Sequence, residues 1–172
     1  MTGEESVQSV FEEFPVTWRR VTTDPRDFFA DMRQTGGLGE PTAFLAVCAA
    51  VSAVGHLLVG WGLRGMIWIF VGQVVGAYLA AAVFVLIAQN LFDGRAGFEP
   101  TFRVVAYSAA PLVVFWIPFV GAIAWLYTAF LITRGLEHVQ RIDATRAVLT
   151  VALGLAALGV IRAVRTGGPA WF

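Results

Sequence analysis

The chain has 172 residues, of which 58% are apolar and 14% charged, and its formal net charge is zero. A soluble domain carries about 25% charged residues, so this composition, with a mean hydropathy of +0.72, argues against an ordinary soluble domain and against disorder of the whole chain. The single Cys excludes an intramolecular disulfide framework and a four-Cys zinc site, and twelve Arg scattered along a chain with no Lys make no nucleic-acid footprint.

Residues 1–40 hold eight of the twelve acids and read as a cytoplasmic N-terminal segment. The opening Glu4 and Glu5 are unlike the basic start of a secretory signal. Val7, Val10, Phe11, Phe14, Trp18 and Val21 recur at helical spacing on one face, and Pro15 is expected to kink or split that helix. Two readings of this amphipathic helix stand: it lies in the headgroup plane, or it packs on the protein's own bundle. A second short helix starts at Asp24-Pro25, with Asp24 as N-cap, Pro25 in the first turn and Asp27 at the positive end. Phe28, Phe29 and Met32 form its apolar patch. It is expected to stop at Gly36-Gly37, with a linker through Gly39 to Pro41.

Residues 41–166 read as a transmembrane region. From Pro41 to Phe92 the only formal charge is Arg64, and 104–133 and 147–161 carry none. A charge at the bilayer centre costs about 2.5–3.5 kcal/mol on insertion scales, so such runs read as spans. The first is expected over 42–61 and the second over 66–91, joined as a hairpin by Gly62–Gly65, with Trp61 and Arg64 at the interface. A polar loop follows around Asp93-Gly94 and Gly97. The stretch 102–133 is too long for one upright span and too short for two full ones. Pro111, Pro118 and Gly121 interrupt it, so two short helices are expected, 102–117 and 119–135, meeting at Ile117-Pro118, with Gly135 as the stop; one long kinked span is the alternative. The last span is 145–164, and 167–172 form a tail with Trp171 as interfacial anchor. The fold class is therefore all-α, a polytopic membrane helix bundle of about five spans. Five spans put nine Arg on the N-terminal side against three, and four spans eight against four, so the positive-inside rule places the N-terminus in the cytoplasm and favours five.

No acidic residue lies inside a predicted span, which removes the usual groups of proton relays. His56 is the one ionisable group near a span's middle. It could carry a proton or ligate haem; the plainer reading is a neutral imidazole bonded to a helix neighbour such as Ser52. Gln73 and Ser108, with Gln89, Asn90, Tyr78 and Thr128, are further polar groups that line a path or bond across helices. Glu137, His138 and Asp143 are expected in a solvated loop, matching no metal template. Gly72 and Gly76 form G-x-x-x-G, which serves internal packing or dimerisation. Gly60, Gly62 and Gly65 match a dinucleotide fingerprint as text only, since they join two spans rather than a strand and a helix. No catalytic residue, cofactor or metal is assigned.

Three segments carry a family resemblance. The first is Asp24-Pro25-Arg26-Asp27-Phe28-Phe29-Ala30-Asp31-Met32 with Gly36-Gly37 and Pro41. The second is Tyr107-Ser108-Ala109-Ala110-Pro111 with Ile117-Pro118 and Gly121. The third is Thr133-Arg134-Gly135-Leu136 with His138 and Arg146-Ala147. Over about residues 20–165 the pattern resembles the Yip family of small membrane proteins, in its prokaryotic branch. The resemblance implies a five-helix bundle with a cytoplasmic N-terminus, in which Tyr107, Pro111, Pro118 and Gly121 shape the broken helix pair. Eukaryotic members look like vesicle-traffic adaptors that contact small GTPases; this sequence carries no D-L-Y-G-P-type signature, so GTPase binding is not carried over. The expected function is a non-enzymatic scaffold or adaptor at a prokaryotic cytoplasmic membrane, its partners lipids, a second copy or other membrane proteins. The alternatives are a small transporter, channel or lipid-moving protein, and a haem- or quinone-binding subunit.

Overall fold

The computed structural model describes the backbone of residues 3–166 and the side chains of 13–164. The tail with Trp171, the side chain of Arg165 and those of Val7, Val10 and Phe11 lie outside the described residues. Every regular element among the described residues is a helix: α1 (Gly3–Thr23), α2 (Pro25–Asp31), α3 (Gly39–His56), α4 (Gly62–Phe92), α5 (Phe98–Tyr107), α6 (Val120–Gln140) and α7 (Ala144–Thr166). A wide π-type turn, Leu57–Trp61, links α3 to α4, and a 3₁₀ turn, Ala110–Val114, follows α5.

Two stretches are long and apolar enough to cross a membrane, Gly39–Phe92 and Ala144–Val164, yet only 17% and 22% of their most apolar windows is buried. Leu63, Ile67, Trp68, Val71, Val75 and Leu79 on α4, and Val148, Leu149 and Leu153 on α7, point outward. A soluble bundle would turn such residues inward.

The Gly39–Phe92 stretch is folded back on itself. Gly60 (φ 94°) and Gly62 (φ 69°) both adopt left-handed backbone, which glycine enters without steric cost, and α4 then packs along α3. The turn therefore lies at Gly60–Gly62, and Gly62–Gly65, expected as the connector, opens α4 instead. Beyond Asp93, α5 and its 3₁₀ extension run along α3. Arg103 sits beside Gly37, whereas Trp116 presses on Gly55 near the far end of α3. α6 returns, so that its last residue Gln140 lies beside Ala96 and Thr101. α7 then packs along α4 and α6, with Gly154 against Phe84. Most of α5 is buried, Thr101 to Ala106 without interruption, so it forms the centre of the bundle.

Several sequence expectations are corrected here. The helix pair does not meet at Ile117-Pro118. The first α-helix ends at Tyr107, 3₁₀ geometry takes over from Ala110, and α6 runs unbroken to Gln140. Pro111 explains the early break, since its ring excludes a continuing α-helix but is tolerated in the first turn of the 3₁₀ segment. Gly135 is no stop: it sits inside α6 where a Cβ would collide with the Val104 side chain, and the helix ends instead at Arg141 in left-handed geometry. His138 and Glu137 accordingly lie on α6 rather than in a loop. α2 ends at Asp31, five residues before Gly36. Asp24 occupies the N-cap position without a capping bond; its carboxylate accepts from the Thr23 hydroxyl at 2.9 Å. Pro15 does not split α1, because contacts on either side hold the helix down. Phe14 packs at a tilt on Phe44, ring centres 5.0 Å apart, and Trp18 donates its indole N–H to the Ala110 carbonyl at 2.8 Å. Of the two readings of α1, the structure shows the packed one. α1 touches α3 and the 3₁₀ turn, and α2 touches α6.

The tight turn into α6 leaves no room for a side chain at Gly121. Gly121 donates its N–H to the Ile117 carbonyl at 2.7 Å, and a Cβ on Gly121 would strike the Phe115 carbonyl oxygen. Gly72 meets nothing within 4 Å. Gly121→Ala should therefore destabilise the protein by about 1–3 kcal/mol through overpacking, while Gly72→Ala should be neutral or stabilising by about 0.5–1 kcal/mol through helix propensity. Thermal unfolding followed by helical circular dichroism in one detergent separates the two; equal midpoints would contradict the turn geometry.

Candidate functional site

Parts of all three resemblance segments meet toward one end of the bundle, with Pro118 and Gly121 of the second segment lying away from them. Phe29 is buried, and Phe28 packs edge-on against Tyr107 at 5.2 Å. Tyr107 in turn lies 5.2 Å from Phe44. Pro41 and Pro111 are buried, Gly135 abuts Val104, and Pro118 and Gly121 form the turn at the opposite end of α6. Arg146 pairs with Asp143 at 3.1 Å and reaches the Phe92 carbonyl at 3.4 Å.

At the centre of this end is a residue that the sequence reading counted only among the nine Arg of the N-terminal side. The Arg103 side chain is 2% exposed, with Glu99 at 3.7 Å and Glu40 at 3.9 Å. Its guanidinium donates to the Gly37 carbonyl at 2.7 Å, and Glu99 accepts the Gly37 N–H at 2.7 Å. Both backbone groups of Gly37 are thus held, by an arginine and a carboxylate that belong to one turn of α5. Gly36 (φ 126°) and Gly37 (φ 88°) bend the chain around this clamp, and a Cβ on Gly36 would come within 3.3 Å of the guanidinium. This accounts for the paired glycines, which mark the clamp rather than a helix end. The signal in the sequence was Glu99 and Arg103 at i,i+4 on an otherwise apolar helix.

A second buried clamp holds the 93–97 loop. Gln140 accepts the Ala96 N–H at 3.0 Å, and donates to the Ala96 carbonyl at 3.2 Å and the Thr101 hydroxyl at 2.9 Å. Its own carbonyl accepts the Arg95 N–H at 3.2 Å. The sequence expectation was a solvated loop after Gly135, and nothing in the local pattern distinguished Gln140 from its neighbours.

The intramembrane polar group is arranged differently. His56 donates through Nδ1 to the Ser52 carbonyl at 2.8 Å, as the plainer reading had it, and its ring lies against Trp61 and Phe115. Gln73 donates to the Ser52 hydroxyl at 2.9 Å. His56 and Gln73 are thus linked through Ser52. Ser108 does not join them: it is buried, and its hydroxyl has no protein partner. Glu137 and Asp143 are drawn to different arginines, Arg134 at 2.9 Å and Arg146 at 3.1 Å. No cluster of three metal-ligating side chains occurs among the described residues. A Cβ at Gly72 or Gly76 would meet nothing within 4 Å among the described residues, so neither glycine is needed for a close approach there.

A helical bundle with an outward apolar surface and these three segments at its core matches a family model, the Yip1 domain, over residues 19–164. The chain belongs to the Yip1 domain family. That family consists of membrane proteins, in keeping with the outward apolar faces of α4 and α7. Comparison with curated proteins and with solved structures gave no match. The matched region of the Yip1 domain begins inside α1, one residue after Trp18, and takes in the whole of α2, which packs on α6.

The two partners of Arg103 should differ in weight. Glu40 is 63% exposed and Glu99 33%, and exposed pairs contribute little. Glu40→Gln should change stability by less than about 0.5 kcal/mol. Arg103→Met, which strips the Gly37 carbonyl of its charged donor, should cost about 1.5–3 kcal/mol and speed proteolysis within 32–38 before global unfolding. Equal protease resistance in Arg103→Met and the parent would refute the clamp.

Proposed function

We propose that this Yip1-domain chain is a non-enzymatic membrane scaffold or adaptor of the prokaryotic cytoplasmic membrane, crossing the bilayer five times with its N-terminus inside. The observation that carries the reading is the division of labour between its surfaces. Outward faces are apolar and unpartnered, while the polar side chains of the interior are mostly spent on the chain's own backbone or on one another. An enzyme of this size would need reactive groups converging on an open cleft, and the His56, Arg103 and Gln140 groups are each closed over.

The path of the chain supports five crossings. α3, the α5–3₁₀ segment and α7 run one way, and α4 and α6 run back. The loops at 93–97 and 141–143 then share the side of α1 and α2, together with nine of the twelve Arg, as the positive-inside rule requires. The transport alternative draws on the interrupted helix, since broken helices often surround a transport site. Here the interruption is filled: Ala106, Ala109, Ala110 and Pro111 are buried and Trp18 occupies the Ala110 carbonyl. That packing supports a scaffold over a conduit.

Topology reporters test the arrangement. A fusion after Arg141 should report the cytoplasm and one after Phe172 the opposite side; a cytoplasmic signal from both would defeat five crossings. Native mass spectrometry of the chain extracted with its own lipids should show a discrete second protein or a defined oligomer. A bare monomer in every preparation would count against the scaffold.

A further inference from the structure

Between α6 and α7 runs a groove of about 380 Å³, within the range of roughly 300–1,000 Å³ typical of small-molecule sites. Its long part is apolar, lined by Phe130, Val151, Ala152 and Leu155. It ends toward the 141–143 loop at Arg134 and Glu137. Leu126 on α6 and Leu149 and Leu153 on α7 face outward nearby, so the groove opens onto the surface that the membrane reading assigns to lipid.

The polar end has a defined chemistry. Arg134 Nη1 donates to both Glu137 oxygens, at 2.9 and 3.3 Å, and its guanidinium carbon stands 5.3 Å from the centre of the Phe130 ring. The cation is therefore fixed over a residue that itself lines the groove. Nε and Nη2 make no further hydrogen bond among the described residues, and they can receive a phosphate. Glu137 offers its remaining lone pairs to a donor beside that phosphate.

We propose that this groove is a binding site for one acyl chain of a glycerophospholipid whose headgroup is zwitterionic and bears a primary amine. The phosphate sits on Arg134, the ammonium on Glu137, and the chain on Phe130, Val151 and Leu155. The local pair is neutral, which matches a headgroup of no net charge better than an anionic one such as phosphatidylglycerol, whose single phosphate charge comes with no cation for Glu137. A trimethylated amine has no N–H to give Glu137, and the one ring face at the site is already occupied by Arg134. The proposal rests on the membrane-spanning reading but not on the scaffold reading.

The test uses the full chain reconstituted in vesicles of phosphatidylethanolamine, phosphatidylcholine and phosphatidylglycerol in equal parts, then released for native mass spectrometry. One phosphatidylethanolamine should stay with each chain in preference to the other two. Glu137→Gln should lower the preference over phosphatidylcholine by about tenfold, the loss expected for one charge-assisted hydrogen bond. Ala152→Trp, which fills the groove, should abolish retention, whereas Val75→Trp on the outward face of α4 should leave it intact. Should Ala152→Trp fail to fold by circular dichroism, Arg134→Gln takes its place and should remove retention of phosphatidylethanolamine. Equal retention of the three lipids, a preference for phosphatidylglycerol, or selectivity unchanged in Glu137→Gln would overturn the proposal while leaving the membrane reading intact. A chain stripped from the vesicles by alkaline carbonate would overturn both.

Discussion

A helix that stops short inside an apolar surrounding must find partners for the backbone groups it releases, and much of this fold answers that requirement at Ala110. Pro111 makes the break unavoidable. The 3₁₀ turn recovers some of the hydrogen bonds locally, as in Leu112 N–H to Ala109 and Phe115 N–H to Leu112. The Ala110 carbonyl is met by Trp18, which lies ninety-two residues earlier in the chain. That bond, with Phe14 on Phe44 and Val21 in the core, seats α1 over the 3₁₀ turn. α2 continues across to α6, with Phe28 on Tyr107 and the Tyr127 hydroxyl donating to the Thr22 carbonyl at 2.8 Å. The N-terminal helices are thus part of the solution to the break.

The same economy governs the loops. Each of two connections at the α1–α2 end is fastened by one buried polar side chain from a neighbouring helix: Arg103 holds 36–37 and Gln140 holds 94–96. An unpaired polar group in such a place costs about 1–3 kcal/mol, so each clamp is valuable mainly because its loss would leave backbone groups without partners. The ion pairs of Arg103 are long and partly wet, and their share is small beside the Gly37 bond. Gly36, Gly37 and Gly94 are the counterparts of these clamps, since a Cβ on Gly94 would come within 2.5 Å of the Gln140 oxygen.

What was legible in the sequence follows from the range of the physics involved. The helices were readable because uncharged runs and the Asp24-Pro25 start are local signals. The hairpin was readable from its glycines, and the His56–Ser52 bond from helical spacing alone. What was missed depends on contacts far apart in the chain. Pro15 reads as a break until Phe14 and Trp18 are seen anchored on both sides. Gly135 reads as a stop until Val104 is found against it, and Gly36-Gly37 as a helix end until Arg103 is found beneath it. In each case tertiary packing supplied a reason for the residue that local propensity assigned to something else. Ser108, singled out as a polar site, has no explanation in its hydrogen bonding.

α4 has 31 residues, which at about 1.5 Å per residue is roughly 46 Å of unbroken helix. α3 has 18, or roughly 27 Å by the same rise. Both flank the same bundle and both are apolar almost throughout. In the five-crossing arrangement a surrounding hydrocarbon layer of about 30 Å can fit the α3 side with little distortion, but beside α4 it must thicken, or the helix must tilt. With five crossings the protein would impose a gradient of membrane thickness around its own circumference. Neighbouring proteins and lipids of different length would be sorted to different sides of it, without any direct contact specifying where they go.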